Sequence, residues 1–267
     1  MASVPFDRPS FDVRAFAGSA QGSLRSDIDE AAFAASPPTD EVLRLLTVLA
    51  RLEGATMSHL RNVLVTPTHK DARVTAFLVT WAFERFWVAD ALRAVVDAGG
   101  GSPSSSEGLR MPRVAVSRRG PVRRALAGFA QGWPIVGAHL TLGLVDDWIL
   151  AAAYDRAAEL ARHEALTALI ARIVAVKARH TAFFEEESRS RLASSAKAGR
   201  LARRELRHSA LPIGADSVEP DDLAPFRQSV FGGIRGSGLA VQLERRIAAL
   251  PRLDHATAAR VRRVLAT

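Results

Sequence analysis

Apolar residues recur every three or four positions through four long stretches of this chain, and that spacing constrains its fold more than any other feature. An α-helix turns once per 3.6 residues, so such a repeat lays an apolar stripe along one face, whereas a half-buried strand needs strict alternation. The first stretch carries Leu43, Leu46, Leu49, Leu52, Met57, Leu60 and Val63 and is stopped by Pro67. Thr39 or Asp40 can cap it, with Glu41 in the first turn, where the helix dipole favours negative charge. A second helix is expected from Asp71 to Asp97 on Val74, Phe77, Leu78, Trp81, Val88, Leu92 and Val95, ending at Gly99-Gly-Gly101. A third fits Pro134 to Arg162. A fourth runs from Glu164 through at least Arg191 on Leu166, Leu169, Ile170, Ile173, Val176 and Phe183. No stretch alternates convincingly at period two, so the chain reads as all-α. Helices of roughly 26 to 30 residues are about 40 Å long, the scale of a four-helix bundle.

The intervening segments divide the chain into three parts. Residues 1–39, with scattered Pro, Gly, Ser and isolated Phe, read as an extended or disordered N-terminal arm. Residues 40–208 hold the bundle, including a crossover over 98–132 that contains Gly99 to Ser106 and the basic run Arg118 to Arg124. A connection of that length either carries function or crosses the length of the bundle. Residues 209–267 form a C-terminal helical extension: a loop at Pro212 to Pro220, then short helices near Asp222–Phe231 and Leu239–Leu250. The glycine-rich Gly232 to Gly238 between them reads as a loop, because it follows no strand.

Composition narrows the functional classes. With no cysteine among 267 residues, disulfides, thiolate metal sites and cysteine nucleophiles are excluded. The N-terminus lacks the order of charged, apolar and small residues that marks a secretion signal, so the expected location is cytoplasmic. No uninterrupted apolar run reaches membrane-spanning length. The net charge of +8 would suit an acidic partner, a phosphate or an anionic lipid surface. The Arg runs at 118–124 and 200–207 lack interleaved aromatics for base stacking, which argues against specific nucleic-acid binding and leaves them solvated or paired. No dinucleotide, Walker or nucleophile-elbow sequence is present.

Helical bundles can host two metals between their helices, using one Glu from each of two helices and a Glu-x-x-His pair from each of the other two. Anionic oxygens suit iron or manganese, and a three-residue spacing aims Glu and His at one point. Here the fourth helix reads Lys177-Ala-Arg-His180-Thr-Ala-Phe-Phe184, the second reads Glu84-Arg-Phe-Trp87, and Asp147 precedes the only tyrosine, Tyr154, by two turns. Glu53 lies 31 positions before Glu84 and Asp147 lies 30 before Lys177, a spacing that suits a duplicated helical pair.

Over about residues 40–192 the chain resembles the ferritin-like superfamily of rubrerythrins and bacterial diiron oxidases, whose fourth helix carries Glu-Ala-Arg-His. The tail at Leu211-Pro-Ile-Gly214, Val230-Phe-Gly-Gly233 and Arg246-Ile-Ala-Ala-Leu-Pro251 is weakly similar to actinobacterial members. The resemblance implies a ferritin-like four-helix bundle with one long crossover and maps six metal ligands onto Glu53, Glu84, Trp87, Asp147, Lys177 and His180. Trp87 offers no lone pair, and Lys177 brings an ammonium where a bridging carboxylate belongs. The expectation is therefore a degenerate metal site. In it Lys177 pairs with Glu53, Glu84 and Asp147, Trp87 fills vacated volume, and no cofactor is held. A binding, accessory or non-redox role follows, with a homodimer or an acidic partner conceivable. One alternative is a divergent oxidoreductase activating dioxygen on iron or manganese, including a single metal on Glu53, Glu84, Asp147 and His180. Three others are a site with desolvated Lys177 as base or nucleophile, a radical or substrate role for Tyr154, and a basic interaction module. His139 and His163 read as structural or exposed, and Glu185-Glu-Glu187 as a solvated face.

Overall fold

The computed structural model describes residues 11–101 and 132–266. Every regular element among them is helical. The crossover residues 102–131, with the Arg118–Arg124 run, lie outside the described residues.

The expected helical stretches appear close to their sequence bounds. Thr39 caps α3 (Asp40–Gly54), its side chain accepting from the Val42 N–H, and α4 (Thr56–Leu64) continues the same stretch. The single helix expected there is interrupted at Gly54 and Ala55. Glycine is a weak helix former, and the Arg85 guanidinium approaches the Leu52 carbonyl at 3.5 Å, an acceptor of the last turn. Asp71 caps α5 (Ala72–Ala98). Beyond the crossover come α6 (Ile135–Leu160), α7 (Glu164–Ser194), capped by His163, and α8 (Ala196–His208), capped by Ser195.

The long helices pack as two antiparallel pairs. In the first, Gly99 at the end of α5 lies against Leu43 near the start of α3. In the second, Gly143 of α6 faces Phe184 of α7 and Gly137 faces Arg191. Helix α6 is the centre of the molecule: Thr141 through Leu150 are buried without a break. A helix that is apolar all round must be covered all round. Among the described residues α6 alone is long and apolar enough to cross a membrane, but 83% of its most apolar window is buried inside the protein. Asp146 and Asp147 interrupt its apolar run, and its apolarity serves the core.

The N-terminal arm is not an extended or disordered tail within the described residues. It forms α1 (Val13–Gly18), capped by Asp12, a 3-10 turn at Arg25–Asp27 and α2 (Glu30–Ala35), capped by Asp29. It lies in the groove between α5 and α7. Along α7 its partners descend in order: the Phe11 N–H donates to Glu186, Arg179 donates to Ser19, Arg172 pairs with Asp27, and Phe33 stacks on His163 at 4.5 Å. Along α5 they ascend through Arg73, Phe77, Glu84 and Asp90. Buried Phe16, Leu24 and Phe33 anchor it. Isolated aromatics in a polar segment read as disorder from the sequence because the groove they fill is made by distant residues.

The C-terminal region differs from expectation in two places. Helix α9 (Pro220–Phe231) is followed at once by α10 (Gly233–Ala248), so the glycine run is a helix-to-helix corner and not a loop. A Cβ at Gly236 would come within 2.3 Å of the Phe231 backbone, and Gly233 sits at φ 64; only glycine permits the corner. A further helix, α11 (His255–Leu265), is capped by Asp254, which accepts from the Thr257 N–H at 2.7 Å. Arg203 and Arg207 of α8 pair with Asp254, so part of the second Arg run holds this extension down. One hydrophobic core cluster runs through all three sequence segments, from Phe16 to Leu265.

Candidate functional site

Four carboxylates are fully buried among these helices: Glu53 of α3, Glu84 of α5, and Asp146 and Asp147 of α6. A buried charge is tolerated only when paired and hydrogen-bonded, so its partners define the site.

The first group centres on Glu53. Lys177, buried on α7, brings Nζ to 3.0 Å from Glu53 Oε1 and 3.2 Å from Asp147 Oδ1. Both are ion-pair distances, and the amine lies off the directions a hydrogen bond needs. The Tyr154 hydroxyl donates to Glu53 Oε1 at 3.0 Å. Arg85, wholly buried, donates from Nε to Glu53 Oε2 and from Nη1 to Asp146 Oδ2 at 2.7 Å, with its guanidinium 5.1 Å from the Trp81 ring. Asp146 is also held by the Ile213 N–H at 2.6 Å, and Asp147 accepts from Thr181 Oγ1 at 2.8 Å. The loop after α8 therefore reaches into the core to satisfy a carboxylate of α6.

Burial pushes the Glu53 carboxyl up, yet Arg85 and then Lys177 pull it down more strongly, to about 2. Burial likewise raises Asp146 against the pull of Arg85, and the rise prevails. Tyr154 is raised well above its ordinary value by burial and by the Glu53 charge, so it is a hydroxyl donor here.

The second group is the pair Glu84–His180. His180 Nε2 lies 2.5 Å from Glu84 Oε2, while Glu84 Oε1 accepts from the Gln21 N–H at 2.7 Å and from Arg179. Burial pushes the His180 imidazole down despite the bond to Glu84. The neutral ring then donates from Nε2, which leaves Nδ1 as a buried acceptor without a hydrogen-bond partner among the described residues.

Of the residues expected from sequence, Glu53, Asp147, Tyr154 and Lys177 come together, and Glu84 meets His180 beside them. The expected Lys177–Glu84 pairing is replaced by Arg179 and His180 on Glu84. Trp87 is half-buried and packs against Phe83 and Phe86, at 6.2 and 5.1 Å between ring centres. The cation between Glu53 and Asp146 is Arg85.

Sequence reasoning missed Arg85, Asp146 and Arg179, each adjacent to a residue it singled out. The signal was available: on a helix with no solvent face, two consecutive aspartates must both find partners inside. The glutamates at 185–187 are not a free solvated face, because Glu186 and Glu187 hold Arg73 and Glu187 also holds Arg191. His139 bonds Thr68 at 2.9 Å and His163 caps α7, both structural tasks. Among the described residues no group of three or more His, Asp or Glu side chains is disposed to hold a metal ion. Comparison with known protein families, curated proteins and solved structures gives no match to this chain.

Proposed function

We propose that the chain is a ferritin-like four-helix bundle in which a buried ion-pair network stands where related bundles hold two metals. It would serve as a metal-free binding or accessory protein, or act through non-redox chemistry. Two antiparallel pairs of long helices joined by one long crossover support the bundle reading. The observation that carries the functional reading is the Lys177 ammonium within 3.2 Å of both Glu53 and Asp147.

The donor set does not fit two divalent cations. A bridging carboxylate must offer lone pairs to both metals, but Glu53 is engaged by Arg85, Lys177 and Tyr154, and Asp146 by Arg85 and the Ile213 N–H. Glu84 already accepts from Gln21, Arg179 and His180. Two cations fixed beside the carboxylates would repel incoming dications, so we derive no step through a metal.

The test is titration of the purified protein with ferrous iron and with manganese without oxygen, followed by metal analysis after desalting. The expected outcome is no saturable uptake and a Tm unchanged by chelators. Stoichiometric metal that His180→Ala or Glu84→Gln removes would overturn the proposal.

A further inference from the structure

The arm described above does more than decorate the bundle. It supplies the main-chain N–H of Gln21 to Glu84, and its Ser19 carbonyl and hydroxyl fix Arg179, which in turn reaches Glu84. Its Phe16 ring stacks on Phe77 at 5.2 Å and stands edge-to-face with His180 at 6.0 Å. The Glu84–His180 pair is therefore dry because this segment lies over it.

The attachment is light for its length. Only Phe16, Leu24 and Phe33 are buried apolar anchors within residues 11–36, while α6 is buried at eleven consecutive positions, Leu140–Leu150. The ion pairs that tie it to the bundle, Arg25–Asp90 and Arg172–Asp27, are partly exposed, a class that contributes little to stability. Segments with few buried contacts open at lower free energy than the core around them. Exposed Ser36 and Pro37 separate α2 from buried Pro38, which lies against Gly99, and from the cap of α3, giving the arm a solvent-facing joint to the bundle.

We propose that residues 11–36 are a detachable strap, and that its release opens the Glu84–His180 pair to a ligand. The ligand class follows from the pair. Glu84 holds Nε2–H and fixes the ring, so Nδ1 presents a lone pair to a group donating O–H or N–H. Glu84 Oε1, freed from Gln21, accepts a second donor. This is the logic by which a carboxylate orients an imidazole as an acceptor or base. The proposal depends on the strap and not on the metal-free reading, so either can fail alone.

The test is native-state hydrogen exchange on the full chain, with diethylpyrocarbonate modification of His180 followed by mass spectrometry. In wild type the Gln21 amide and the α1 amides should exchange together, roughly tenfold or more faster than those of Leu144–Leu150. Phe16→Ala should accelerate strap exchange and His180 modification by the same factor while α6 protection stays unchanged. Strap amides exchanging only as fast as α6 amides would overturn the proposal. So would a Phe16→Ala variant that loses α6 protection equally, or a His180 that stays unmodified while the strap exchanges.

Discussion

Replacing Lys177 with methionine removes a charge while keeping most of the side-chain volume, and it isolates what the buried ammonium contributes. The Glu53 carboxyl is held at about 2 against an ordinary value of 4.5, a difference worth about 3 kcal/mol of stability at neutral pH. The Arg85 charge is the largest single pull and the Lys177 charge the next, and Lys177 also faces Asp147 at 3.2 Å. Breaking one partner out of a buried ion pair costs about 3–5 kcal/mol in general. Glu53 keeps Arg85 and Tyr154 afterwards, so we expect about 2–4 kcal/mol for Lys177→Met, with Lys177→Ala harsher by about 1–2 kcal/mol for the lost packing. The assay is urea denaturation of Lys177→Met, Glu53→Gln and the double variant. A coupling energy of at least about 1.5 kcal/mol is expected, because the double variant removes both charges of the Lys177–Glu53 pair and leaves Asp147 as the one carboxylate without its cation.

The pH dependence has a definite sign. A carboxyl depressed in the folded state contributes stability that is complete above 4.5 and is lost as pH falls toward 2. Without Lys177 the carboxyl is held down less, so the cost of the substitution is largest at neutral pH and shrinks below about pH 4.5 as Glu53 takes up a proton. A cost below about 1 kcal/mol at pH 7, or a cycle without coupling, would refute the claim that this ammonium is a structural counter-ion.

Two further outcomes follow from the packing and the histidines. A Cβ at Gly143 would stand 2.6 Å from the Phe184 ring, so Gly143→Ala should force α6 and α7 apart and cost about 1–3 kcal/mol, read from the urea midpoint; a neutral result would mean the ring can move aside freely. Burial pushes His59 down to about 3 and His139 to about 4, below the ordinary 6.5, so their stability contribution is complete above pH 6.5 and drains as the medium is acidified toward 4 and then 3. Comparing urea midpoints at pH 7.5 and 4.5 should show a smaller loss in His59→Gln/His139→Gln than in wild type, and equal losses would contradict the assignment.

Helix existence was legible wherever an apolar stripe ran long enough, with starts at Thr39 and Asp71, whereas the short helix capped by Asp254 went unread. The buried acids on α3, α5 and α6 were legible too, through Glu53, Glu84 and Asp147. Their partners were harder to see. Lys177 was identified because it breaks a pattern, whereas Arg85 looks in sequence like one more charge on a helix face. The strap gave the wrong impression altogether, since Phe16, Leu24 and Phe33 belong to no local repeat.

The sequence by itself determined the all-α class, the approximate spans of the long helices and the presence of acids on apolar helices, because periodicity, capping and composition are local properties of the chain. Tertiary structure alone decided which cation meets which acid, that Asp146 takes the Ile213 N–H, and that a polar arm seals Glu84 and His180 from water. Such pairings join residues far apart in the chain, 160 positions for Arg179 with Ser19 and 175 for Phe11 with Glu186, and their strength depends on burial that no single segment encodes.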